Sequence, residues 1–180
     1  MTIGRTVTYW ALFALLAAYY WSVEHKALPP SEIRLAREKV LDVFSDDVTA
    51  LTLRRDGNEV RCERKDKRWQ IVKPQGAKAP ADLMTALIEN LTDKQEAEEI
   101  DKDPKPEDLS AFGLSDTSPE LEIEVSGGKK FKVKLGGRNP PQTAVYAQTN
   151  VKPRVLLIGV NVQYYADLLY EAGAKSGTKT

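Results

Sequence analysis

Residues 48–64 read VTALTLRRDGNEVRCER, two runs of strand-forming residues that flank Asp56-Gly57. An Asp-Gly pair favours the two-residue loop of a tight hairpin, because both loop positions take a positive φ angle. This loop places Leu51 opposite Cys62, Leu53 opposite Val60 and Arg54 opposite Glu59. Directly opposed residues share a face of the hairpin, so the apolar side chains fall together. The pattern predicts that a folded domain begins with this hairpin near Asp47, and that Cys62 is a small core residue.

A second hairpin is predicted around Gly127-Gly128. Acidic and apolar residues alternate over 120–125, and basic and apolar residues alternate over 130–135. A two-residue loop would place Lys130 opposite Val125, so we expect a three-residue loop, Gly127–Lys129, which keeps the apolar residues on one face. The expected pairs are Val125 with Phe131, Ile123 with Val133, Glu124 with Lys132 and Glu122 with Lys134. The charged residues then form a solvated cross-strand ladder rather than paired acid and base groups.

The remaining segments complete an α+β fold. Alternation predicts further strands at 68–72, 143–149 and 154–158, and residues 95–100 suit either a strand or an extension of the preceding helix. Helical spacing predicts helices over 80–92 and 161–172, with one turn at 107–112 that ends at Gly113, while 136–141 is expected to be a loop. We interpret residues 47–172 as a soluble, antiparallel, hairpin-rich β domain with two or three packed helices, followed by a disordered tail over 173–180.

An apolar segment precedes this domain. Residues 7–23 read VTYWALFALLAAYYWSV, without a charge, and a helix of this length would span roughly 25 Å of bilayer. Aromatic residues favour the membrane interface and mark both ends: Tyr9 and Trp10, then Tyr19, Tyr20 and Trp21. We expect a transmembrane anchor within residues 1–26. The alternative is a cleaved signal peptide, but bulky aromatics stand where a small-residue cleavage site is needed.

One face of the predicted anchor is small. It consists of Ala11, Ala14, Ala18 and Ser22. Small faces let membrane helices approach closely, although alanine is also simply common in such segments. Residues 27–46 are interpreted as a juxtamembrane linker, with a helix from Ser31 to Phe44 whose apolar face includes Val40. Positive charge after the anchor would, taken alone, place the domain inside the cell.

The composition excludes several kinds of chemistry. Lys+Arg and Asp+Glu number 26 each, so no net field favours nucleic acid. One cysteine and one histidine, His25, are too few for the usual metal or nucleophile sites. We expect no enzyme activity, no cofactor and no metal. A carboxylate hydrolase is the weakest alternative, and it would use Glu98, Glu99, Asp101 and Asp103, a cluster expected on a charged loop.

Several motifs together resemble the bacterial domain of unknown function 4340. They are the entry Phe44–Leu53, then Trp69–Pro74, Asp108–Leu114 with its Phe-Gly-Leu, Leu135-Gly136-Gly137 and Val145-Tyr146-Ala147. The resemblance covers about residues 44–158. It implies a single N-terminal tether and a periplasmic domain, and some similar proteins are auxiliary components of gliding-motility or ABC-type export systems. No catalytic residues are attached to it.

These features favour a non-catalytic accessory subunit of a larger inner-membrane complex. Its helix would contact lipid over residues 7–23 and other membrane subunits through the alanine face, and its domain would face the periplasm. A binding module for an envelope glycan or small ligand is the alternative, for which Tyr146, Tyr164 and Tyr170 are candidate contacts. An auxiliary role in an ABC-type export or gliding system is a further possibility that the resemblance implies.

Overall fold

The computed structural model describes residues 3–20, 38–66, 68–78, 80–93, 96–151 and 153–175. The chain divides into two compact units, Met1–Ala36 and Arg37–Thr180. The described part of the first unit is helix α1 (Ile3–Tyr19), of 17 residues. Within the described ranges, no helix has both the length and the apolar character needed to cross a membrane. The last three residues of the predicted span, 21–23, lie outside these ranges.

The second unit is built on one antiparallel sheet. Its strands are β1 (Glu38–Lys39), β2 (Val48–Arg55), β3 (Asn58–Lys65), β4 (Arg68–Lys73), β5 (Glu96–Asp101), β6 (Glu120–Val125), β7 (Lys130–Arg138), β8 (Ala144–Thr149) and β9 (Val155–Gly159). Their order across the sheet is β1-β5-β9-β8-β7-β6-β2-β3-β4. The α+β class and the antiparallel architecture predicted from the sequence are therefore confirmed, and residues 96–101 form a strand.

The first hairpin has the predicted register. Leu51 pairs with Cys62, Leu53 with Val60 and Arg54 with Glu59. Asp56 and Gly57 take the positive φ angles of 51° and 75° that the two-residue loop requires. Cys62 is fully buried, as predicted, and burial raises the pKa of its thiol to about 12.

The predicted register of the second hairpin was wrong by two residues. Ile123 pairs with Phe131 and Glu122 with Lys132, and the Val125 N–H bonds to the Lys129 carbonyl at 3.0 Å. Ser126–Gly128 therefore form the loop, in which Gly127 and Gly128 take φ angles of 92° and 81°. Only glycine adopts such angles without strain. The predicted loop, Gly127–Lys129, would have placed Lys129 in the loop, whereas in the structure Lys129 pairs with Val125. The shift is an even number of residues, so the apolar side chains still share one face.

Two helices cover the apolar face of the sheet. Helix α2 (Ala81–Thr92) and helix α3 (Val160–Ala174) contact each other and contribute to the same core as the strands. The predicted stripe of α2 is confirmed, because its residues Leu83, Met84, Leu87, Ile88 and Leu91 are all buried. Helix α3 runs through Gly173 to Ala174, two residues beyond the predicted end at 172. A Cβ atom at Gly173 would lie 2.5 Å from Val60 Cγ2, so this glycine permits close packing within the helix.

Two further predictions need correction. The predicted helix 31–44 is not helical in its described part, since Glu38–Lys39 pair with β5 and the Leu41 N–H bonds to the Leu91 carbonyl. Val40 and Leu41 are buried in the core, whereas Phe44 is 70% exposed, so a non-helical segment docks on the domain where a helical face was predicted. Strand β7 also runs through Gly136 to Arg138, where a loop was expected. Residues 27–37 and 176–180 lie outside the described ranges.

Candidate functional site

The face of the sheet opposite the core carries a network of ion pairs, here called the charged face. It comprises Arg54, Glu59, Arg61, Glu63, Glu120, Glu122, Glu124, Lys130 and Lys132. The alternation on β6 and β7 supplies the acidic and basic ladder that the sequence predicted. The two arginines come from the first hairpin, because β2 lies beside β6 in the sheet. Cations and carboxylates alternate across this face, so its residues form ion pairs with one another and the face does not present a single sign of charge.

Glu122 is the most buried member of the charged face. Only 7% of its side chain is exposed, and its carboxylate accepts hydrogen bonds from Arg54 Nη1 at 3.0 Å and Lys130 Nζ at 2.9 Å. The hydrogen bond from Arg54, followed by that from Lys130, lowers the pKa of Glu122 below its ordinary value. A carboxylate held in its charged form by two cations is a poor general acid.

Arg61 and Glu124 form the best-oriented pair on the charged face. Arg61 Nη1 and Nη2 donate to the two carboxylate oxygens, each at 3.2 Å, and Lys130 Nζ lies 2.7 Å from Oε1. Such forked contacts are among the stronger ion pairs in proteins. The hydrogen bond from Arg61, with a smaller contribution from Lys130, lowers the pKa of Glu124 to about 2.

This depressed pKa predicts acid sensitivity. The folded pKa of Glu124, about 2, lies below the ordinary value of 4.5, so its stabilising effect is complete above 4.5 and disappears as the pH falls towards 2. We expect the free energy of unfolding to fall by about 1–2 kcal/mol over this window through Glu124, after allowance for solvent screening. Urea unfolding of the purified protein at pH 5, 4, 3 and 2 measures this fall in the free energy of unfolding.

Glu124→Gln should flatten this acidic part of the stability profile. Glu107→Gln is the matched control, because Glu107 lies on an exposed segment with only a long, 3.9 Å contact to Lys105. The assignment fails if both variants lose stability with the same slope as the unsubstituted protein.

The carboxylates considered for a hydrolase do not form a loop cluster. Glu98, Glu99 and Asp101 lie on strand β5, contrary to the sequence expectation, and Asp103 follows it. Glu99 binds Arg154 Nη1 at 2.7 Å, and this hydrogen bond lowers its pKa, which is the opposite of what a general acid requires. Within the described ranges, no three side chains of His, Cys, Asp or Glu converge as metal ligands do.

The three candidate tyrosines for a ligand groove have separate roles. Tyr146, on β8, packs its ring 5.0 Å from that of Phe112. Tyr170, on α3, has the Arg55 guanidinium 5.1 Å from the centre of its ring, and its hydroxyl oxygen accepts a hydrogen bond from Asn58 Nδ2 at 3.1 Å. Tyr164 is 56% exposed on the same helix. The first two are explained by packing and hydrogen bonding inside the domain.

The residues named for the anchor are exposed wherever the structure describes them. Tyr9, Trp10, Tyr19 and Tyr20 expose between 56% and 70% of their surface, and Ala11, Ala14 and Ala18 are exposed as well. Trp21 and Ser22 lie outside the described ranges. Both the aromatic and the small face of α1 are therefore exposed over its described residues.

Two of the sequence motifs meet in a tight contact, here called the glycine junction, formed by Phe112, Gly113, Leu114, Gly136 and Gly137. The 3-10 turn Leu109–Phe112 ends at Gly113, whose φ of 68° is left-handed. A Cβ atom at Gly113 would lie 2.6 Å from the Gly137 backbone nitrogen, and one at Gly136 would press on the Phe112 carbonyl oxygen. The glycines therefore let the turn lie directly on strand β7.

The family model described as a domain of unknown function (DUF4340) matches residues 69–171, more than half of the chain. The chain belongs to the DUF4340 family. No curated protein and no solved structure matches it. Within the DUF4340 match lie the glycine junction and strands β5–β9, while β2, β3 and α1 precede it.

Sequence reasoning missed one prominent feature of this DUF4340 domain. A cavity of about 410 Å³ lies beside β4, the last strand of the sheet, and Trp69, Ile71, Ala77 and Met84 contribute to its lining. Alternation predicted that Trp69 and Ile71 share one face of a strand, but it did not show that β4 would be an edge. Strand order depends on long-range pairing, so no local signal could have revealed it.

Proposed function

We propose that this DUF4340 protein is a non-catalytic accessory subunit of a larger bacterial inner-membrane complex. Residues 7–23 are its single-pass membrane anchor, which contacts lipid and partner subunits. Its sheet domain is the part that binds partner proteins. The resemblance noted in the sequence favours the periplasmic side for this domain.

The observation that carries this proposal is the exposure of α1. Every described side chain from Tyr9 to Tyr20 is exposed. The large apolar side chains among them include Trp10, Leu12, Phe13, Leu15 and Leu16. Water does not solvate a contiguous apolar surface of this size well, so lipid or another apolar surface is needed to cover it. A helix that is apolar all round is typical of a membrane span or the core of a large assembly.

The charges of the domain are consistent with a structural role. The carboxylates of the charged face are held by arginine and lysine, and Glu99 is held by Arg154. Their lowered pKa values favour the ionised form, in which they stabilise the sheet. Ion-paired carboxylates with no raised pKa support a scaffold more than a catalytic centre.

A single charge in the helix tests the anchor. An arginine at the centre of a membrane helix costs about 2.5–3.5 kcal/mol on insertion scales. We expect the unsubstituted chain and Leu15→Phe to stay in the membrane pellet after a carbonate wash, and most Leu15→Arg to appear in the supernatant. The anchor is refuted if the unsubstituted protein is freely soluble, or if its mature chain starts beyond residue 24.

Native electrophoresis at low detergent tests the accessory role. The tagged full chain should migrate well above its own 20.1 kDa together with other membrane proteins. Migration alone, at the mass of one chain plus detergent, would contradict the role even if the anchor is confirmed.

A further inference from the structure

Strand β4 leaves one side of the sheet open. It is the terminal strand and pairs with β3 along one edge only. On its other edge, no backbone hydrogen bond joins residues 68–73 to any other described segment. At the opposite end of the sheet, the two residues of β1 pair with Glu96 and Ala97 of β5. An open edge of six residues is long enough to accept an extended peptide as an additional strand.

The core side of this edge is incompletely filled. Trp69 and Ile71 pack against the core but remain partly exposed, and the cavity of about 410 Å³ lies beside them. Met84 and Ala77, both buried, also contribute to the cavity. Apolar side chains on an added strand would lie next to Trp69 and Ile71 and would extend the core over this gap.

The other side of the same edge is positive. Arg68 and Lys73 are exposed there, because they pair with Lys65 and Arg61 on the solvent side of β3. Lys73 contacts Glu59 at 3.2 Å, while among the described residues Arg68 has no ion pair within 4.0 Å. An added strand would therefore gain from acidic residues on this face. A second copy of β4 would instead bring cations against cations, which disfavours self-pairing.

We propose that the β4 edge binds an extended segment of a partner protein in which apolar and acidic residues alternate. The apolar residues enter the cavity beside Trp69, the acidic residues lie along Arg68 and Lys73, and the backbone adds a tenth strand. This inference rests on the proposed accessory function, for which it names the docking surface and the chemistry of the partner.

Peptide binding to the detergent-solubilised full chain tests the inference. Trp10→Phe and Trp21→Phe leave Trp69 as the only tryptophan of the three in the chain, so its fluorescence reports on the edge. The probe is a ten-residue peptide of alternating Glu and Val. We expect a saturable blue shift, and at least about tenfold weaker binding when every second backbone nitrogen of the peptide is methylated, which blocks strand pairing.

Charge reversal distinguishes binding at the β4 edge from non-specific electrostatic attraction of the acidic peptide. Arg68→Glu with Lys73→Glu should weaken binding of the acidic peptide about tenfold or more. The matched control, Lys102→Glu with Lys105→Glu, follows β5 near the other end of the sheet and should leave binding unchanged.

If a peptide binds, three results would overturn the inference. They are equal binding of the methylated peptide, equal loss in the control variant, and tighter binding of a peptide that copies residues 68–73, which would assign the edge to a second copy. If no peptide binds while native electrophoresis still shows a complex, the docking surface is wrong and the accessory function stands. If the chain migrates alone, the accessory function fails whatever the peptide does.

Discussion

Gly136→Ala should lower the free energy of unfolding by about 2–4 kcal/mol. The new Cβ atom would meet the Phe112 carbonyl oxygen at less than van der Waals separation and would lie 3.0 Å from Leu114 Cγ. The oxygen belongs to the backbone of the 3-10 turn, which cannot yield without lifting from strand β7. Urea denaturation of the full chain, followed by circular dichroism, measures the loss.

The adjacent glycine is the matched control. A Cβ atom at Gly137 would lie 3.6 Å from the same carbonyl oxygen, an ordinary contact distance. Both glycines lie on β7 at its bulge opposite β8. We expect Gly137→Ala to cost less than about 1 kcal/mol. Similar losses at the two positions would mean that backbone conformation, and not the close approach of the turn, explains the double glycine.

Leu41→Ala should lower the free energy of unfolding by about 2–5 kcal/mol. Leu41 is 2% exposed, and its N–H bonds to the Leu91 carbonyl at the end of α2. Removing its side chain leaves a cavity between the segment before β2 and the helix. Chemical unfolding of the full-length variant measures the effect.

Phe44→Ala distinguishes the observed segment from the helix predicted by sequence. On a helix, Phe44 would share the buried face of Val40, but in the structure it is 70% exposed. We therefore expect Phe44→Ala to change stability by about 0.5 kcal/mol or less. A large loss at Phe44 with a small one at Leu41 would restore the helical interpretation.

Local chemistry explains why the first hairpin was predicted correctly. Asp56 and Gly57 accept positive φ angles, and a two-residue loop allows only one pairing of the strands that follow. The buried positions of Cys62 and Val60 then follow from the alternation alone. The stripe of α2 was equally predictable, because helical spacing is also a local property.

The second hairpin shows where alternation stops being informative. Registers two residues apart put the same side chains on the same face, so hydrophobicity cannot choose between them. The observed loop lets Gly127 and Gly128 take the positive φ angles, and the Ser126 N–H bonds the Asp47 carbonyl at 2.8 Å. The hydrogen bond from Ser126 to Asp47 joins segments that are far apart in the chain, so the local sequence could not predict it.

The charged face was predicted in part. Alternation placed the glutamates of β6 and the lysines of β7 together on the solvent side, as the structure shows. It did not reveal that Arg54 and Arg61 join them, or that Glu122 becomes buried. Both follow from β2 lying beside β6, a pairing of segments about seventy residues apart in the chain.

Local residue patterns were therefore sufficient for the elements themselves: the α+β class, most strands and helices, the apolar face of each, and an apolar N-terminal helix. Long-range packing decided the order of the strands, the docking of Val40 and Leu41, the need for glycine at 136 and the open edge at β4. The reason is physical. Period and turn chemistry act over a few residues, whereas a sheet edge or a backbone contact exists only after distant segments have come together.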